Sequence, residues 1–100
     1  MGSLGQVRSD IDGALVDVDW SNPRVGVLID GEVTIELDLG PRDPIDGFVI
    51  HLRGGPLAAP LVAHLCLVNG WAALDVTSGG YLDLEEPASW FRGDTAASRA

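Results

Sequence analysis

The groups in this chain able to do chemistry are few: His51, His64, Cys66 and fifteen carboxylates. Their spacing is most informative where polar and apolar residues alternate. In residues 14–20 the polar positions are Asp17 and Asp19, and in residues 32–39 they are Glu32, Thr34, Glu36 and Asp38. In residues 48–53, His51 and Arg53 point away from Phe48, Ile50 and Leu52. A period of two puts each polar set on one side of a strand. If these strands are neighbours, several carboxylates share a surface with one imidazole and one guanidinium. Such a face can hold a divalent ion through oxygen ligands and His51, or dock a cationic partner. The plain alternative is that a sheet covered on one side simply shows polar residues on the other. Adjacent carboxylates repel, which favours a held cation or basic partner. The candidate binding set is therefore Asp17, Asp19, Glu36, Asp38, His51 and Arg53.

The remaining groups offer less. His64 and Cys66 fall in one helical segment, where a two-residue offset turns them about 200° apart and prevents a thiolate–imidazole pair. Cys66 reads as a small buried residue, and His64 as a packed imidazole without an acid partner at diagnostic spacing. Gly54-Gly55-Pro56 precedes the helix beside Arg53, but it lacks phosphate-loop spacing, and Pro56 removes a donor. Asp10-Ile11-Asp12-Gly13 resembles the start of a calcium loop without its later ligands. No serine sits in a nucleophile elbow. Tyr81, Trp90 and Phe91 are candidate docking aromatics if exposed, and core if not. Ile-Asp-Gly recurs at residues 11, 29 and 45 with unequal spacing, which is recurrent turn chemistry rather than a repeat.

The elements that must position these groups read as ββββαββ. The expected strands are residues 14–20, 25–28, 32–39 and 48–52, then 71–76 and 81–84 after the helix. Two hairpin registers follow from keeping apolar columns together. A three-residue loop, Ile29-Asp30-Gly31, pairs Val27 with Val33 and Val25 with Ile35, with Gly31 left-handed. The same rule around Thr77-Ser78-Gly79 pairs Leu74 with Leu82 and leaves Gly79 left-handed. The helix spans residues 57–69, with Leu57, Leu61, Leu65 and Val68 within about 80° of one another. Pro60 suits its first turn, and Gly70 suits its C-terminal cap. Pro87 opens a short helix carrying Trp90 and Phe91, stopped by Gly93. The expected fold class is α+β: a mostly antiparallel sheet of five or six strands, with one main helix on its apolar face. Residues 1–93 form a single domain, and residues 94–100 a flexible tail.

Composition bounds what such a domain does. One hundred residues, 46% of them hydrophobic, are enough for a core without staples. A formal charge of −9, with every one of the six cations an arginine, repels phosphate backbones, so nucleic acid is not an expected partner. No apolar stretch reaches the ~20 residues of a membrane-spanning helix. No secretory signal is evident, so a cytoplasmic setting is expected. One cysteine excludes an intramolecular disulfide. No cofactor motif is present. The expectation is a small acidic, non-catalytic interaction domain of accessory, inhibitor or immunity type that binds a basic protein. The alternative is a small metal-dependent or hydrolytic enzyme using His51 or His64 with nearby carboxylates. Self-association into a homodimer through strand edges or the aromatics is a third expectation.

Overall fold

A computed structural model describes residues 1–76 and 78–90. The chain divides into two compact units, one spanning Met1–Gly54 and a second beginning at Gly55. The fold is α+β, with a four-stranded antiparallel sheet and two helices. Among the described residues, no helix is long and apolar enough to cross a membrane.

The chain opens with a helix that alternation does not reveal. Helix α1 covers Leu4–Ala14. Ser3 caps it, its hydroxyl accepting a hydrogen bond from the Gln6 backbone N–H at 3.2 Å. Leu4, Val7, Ile11 and Leu15 recur at helical spacing, and Val7 and Ile11 are fully buried. Leu15 closes the helix with extended backbone, its N–H bonding the Ile11 carbonyl at 2.8 Å.

Residues 14–20 therefore do not form the expected strand. Their first half is spent ending α1, Val16 is 78% exposed, and Asp17 turns the chain with φ 66°. Strand β1 is only Asp19–Asn22. Strands β2 (Val25–Asp30), β3 (Val33–Asp38) and β4 (Val49–Arg53) follow, and the sheet order is β1-β2-β3-β4.

On β3 the pleat is as expected: Val33, Ile35 and Leu37 are buried while Glu36 is exposed. Ile50 and Leu52 on β4, facing Leu37 and Ile35 of β3, are half-buried. On β2 the register differs. The turn is two residues, Gly31-Glu32, with Gly31 at φ 60°, so Leu28 pairs with Ile35 and Gly26 with Leu37. Val27 faces Glu36 and Val25 faces Asp38, not Val33 and Ile35.

The reason lies in Gly26. A Cβ there would come within 2.8 Å of both the Trp20 ring and a Val18 methyl. The core side of β2 is thus a glycine and a leucine, with the indole filling the space that the missing side chain leaves. The three β-branched residues of β2 are sent to the other face.

Trp20 also ties α1 to the sheet. Its indole N–H donates to Asp12 at 2.8 Å, and the Arg8 guanidinium lies 4.9 Å from its ring centre. Arg8 and Asp12 are one helical turn apart, so one face of α1 grips the ring from two sides. Elsewhere Gly2 and Ile45 exchange backbone hydrogen bonds, anchoring the N-terminus to the 40–47 loop.

The second unit begins with a 3-10 turn, Gly55–Leu57, and helix α2, Ala59–Asn69. Pro60 sits in the first turn. Gly70 ends the helix at φ 68°, with the Trp71 N–H on the Cys66 carbonyl and the Gly70 N–H on Leu67.

The expected apolar stripe is replaced by another. Ala59, Val62, Ala63, Leu65 and Cys66 are buried, whereas Leu57 and Val68 are mostly exposed. The segment is apolar nearly all round, so periodicity cannot choose a face. The buried side is the one that carries Ala59, Ala63 and Cys66 beside Val62 and Leu65.

Beyond α2 the expected strand pair shrinks to a single antiparallel bridge, Leu74 with Tyr81, one residue off the expected register. Gly79 is left-handed at φ 76°, as expected. Backbone hydrogen bonds from Asp75 to Gly80 and from Leu82 to Ala73 hold the turn. Helical backbone begins at Ser89 and Trp90. The rest of the expected short helix, with Phe91, and the expected tail at 94–100 lie outside the described residues.

Candidate functional site

Residues directly opposite in adjacent strands share a face. Reading the pairs across the sheet gives one continuous row: Asp19 on β1, Val27 on β2, Glu36 on β3 and His51 on β4. The next row, toward the far end of β3, is Val25, Asp38 and Val49. On the other side lie Ile29, Thr34 and Arg53. Five of the six candidate binding residues therefore share one face. Asp17 does not join them, because it belongs to the turn before β1.

The carboxylates on this face are not equivalent. Asp19 is committed to its own turn, accepting from the Ser21 hydroxyl at 2.6 Å and the Ser21 backbone N–H at 2.8 Å. Those two bonds favour its charged form and hold its pKa below the usual carboxylate range. Asp38 accepts from the Gly40 N–H at 3.0 Å, shaping the exit from β3. The Glu36 side chain is uncommitted: among the described residues neither its carboxylate nor the His51 imidazole makes a hydrogen bond or ion pair, and both residues are exposed.

Alternation alone does not reveal the apolar part of this face. Ile29 is 71% exposed and Val49 46%, with Val25 and Val27 half-buried between carboxylates. The signal for it was Gly26, which marks the side of β2 where another group approaches closely.

The other candidates are dispersed. Tyr81 is 80% exposed beside its bridge. Trp90 is half-buried, and its indole N–H donates to the Asp83 carbonyl at 2.8 Å, so it organises its own loop. His64 is exposed on α2, contrary to the expected packed imidazole, and Cys66 is buried as expected. Burial pushes the Cys66 thiol up.

Among the described residues, no three or more His, Cys, Asp or Glu side chains are grouped to hold a metal ion. A hollow of about 270 Å³ lies along the 39–47 loop, with Arg42 and Asp46 in its lining. It contains no imidazole or thiol to act as base or nucleophile. What the open sheet face can do is present negative charge and β-branched surface together. The chain matches no family model, no curated protein and no solved structure.

Proposed function

We propose that this chain is a non-catalytic interaction domain whose open sheet face docks a basic protein. The observation supporting it most directly is the mixture on that face. Asp19, Glu36 and Asp38 alternate with Val25, Val27, Ile29 and Val49. A docking face uses apolar contact for affinity and charge for steering and partner choice. The charge of −9 extends the same field around the whole molecule. A cytoplasmic accessory, inhibitor or immunity-type role suits such a surface, and the lone cysteine stays reduced there.

The enzymatic alternative gains one element, Glu36 opposite His51, but among the described residues no three His, Cys, Asp or Glu side chains are grouped to hold a metal ion.

The test compares the unmodified chain with the double variant Glu36→Lys/Asp38→Lys, each immobilised and exposed to lysate. A basic protein held at low salt, released at high salt and lost by the variant supports the reading. A partner that is acidic, retained equally by the variant, or not found at all overturns it.

A further inference from the structure

The two edges of the sheet are built differently. On β1 the register slips between Asp19 and Asn22, the Asp19 carboxylate folds back on Ser21, and Pro23 follows at once. These are the irregularities by which an edge avoids pairing. The opposite edge has none of them. β4 keeps unbroken register with β3 over all five residues and contains no proline, lysine or bulge. Among the described residues, nothing outside β3 hydrogen-bonds to its backbone. Val49, His51 and Arg53 on this strand are exposed.

The β4 sequence, Val-Ile-His-Leu-Arg, is also close to self-complementary. Turned about a two-fold axis through His51 and perpendicular to the sheet, it sets Ile50 against Leu52 of the second copy. Val49 then meets Arg53, whose aliphatic stem covers it. This is the antiparallel register that pairs all five residues while keeping apolar side with apolar side. We infer that β4 is a self-recognition edge, joining two copies of this chain into one continuous eight-stranded sheet with His51 beside its own counterpart. The contact uses the rim of the sheet and goes beyond the proposed docking of a basic protein on its face.

A five-residue strand pair is a small interface, so the dissociation constant is on the order of 100 µM. Both copies are strongly acidic, so salt strengthens the pairing by screening their repulsion, opposite to its effect on a basic partner. Sedimentation of the unmodified chain is the first measurement, and a doubling of mass with rising concentration and salt is expected.

Cross-linking then locates the contact in a Cys66→Ala background. Opposed residues in an antiparallel pair have Cα atoms about 4.5 or 5.5 Å apart, both within disulfide range. His51→Cys on the axis is expected to oxidise to a covalent dimer. Val49→Cys, whose mate is Arg53, is expected to form no disulfide cross-link, and Val49→Cys/Arg53→Cys to cross-link again. A chain that remains monomeric about tenfold above that concentration overturns the inference. So does a dimer in which His51→Cys fails to cross-link or Val49→Cys cross-links equally well.

Discussion

Gly26 lies directly beneath the Trp20 indole, so near that a single added carbon would sit 2.8 Å from the ring. Sheet and helix meet through this contact, because the same ring bonds Asp12 and stacks under Arg8. Gly26→Ala is therefore expected to destabilise the protein by about 1–3 kcal/mol through overpacking. A lowered urea midpoint with unchanged slope checks it. Gly26→Ala combined with Trp20→Leu should cost less than the two changes summed, since the smaller side chain vacates the collision.

Neighbouring residues on β2 should respond in opposite ways. Leu28 is buried beside Ile35, so Leu28→Lys buries an unpaired ammonium and should prevent stable folding. Val27→Lys places its charge on the open face opposite Glu36, and a change within about 0.5 kcal/mol is expected. Thermal melts of the two variants decide the register. If Val27→Lys unfolds the protein and Leu28→Lys does not, the pairing is the one that hydrophobic columns suggest.

That contrast shows how much was legible beforehand. On β3, strict alternation over six residues left one answer, and the polar sides of β3 and β4 followed from it. On β2, Val25 and Val27 read as an apolar column facing Ile35 and Val33, with Ile29 in the turn. The single glycine between them outweighed it, because close packing needed the missing side chain more than burial needed the valines. Helix α1 was hidden for a different reason. Gly5 and Gly13 lower helix propensity, and Asp10, Asp12 and Gly13 resemble a turn, so the Ser3 cap and the Leu4, Val7, Ile11 spacing carried the signal alone. The face of α2 could not be read, since its apolar residues encircle it. Asp19, Glu36, Asp38, His51 and Arg53 lie on one face, whereas the valines and isoleucine between them do not follow from alternation, because they depend on the β2 register.

The hidden helix has its own test. Ser3→Ala removes the acceptor for the Gln6 N–H and should cost about 1 kcal/mol. Ile11→Ala empties a fully buried site and should cost about 2–5 kcal/mol. Chemical denaturation of both variants checks the values. If neither moves the midpoint, α1 is not part of the cooperative unit.

Cys66 predicts an alkaline effect whose sign can be worked out. Desolvation raises its folded-state pKa above that of the unfolded chain, where a thiol ionises near 8.5. Its contribution is therefore fully present below about pH 8.5 and is lost as pH rises through the higher folded value. In the native state the thiol should resist iodoacetamide at pH 8 and react readily in denaturant. Cys66→Ala should flatten the alkaline limb of the stability profile.

The β-branched stripe on the open face has a further consequence for colloidal behaviour. Val25, Val27 and Ile29 would make two such faces adhere, yet Glu36 and Asp38 stand across from Val27 and Val25 in every copy. Face-to-face stacking brings carboxylate onto carboxylate, so like charge acts as a gatekeeper against clumping while leaving the surface receptive to cations. Acidification toward the isoelectric point, about 4.2, removes that guard, and turbidity should appear there before the fold itself is lost.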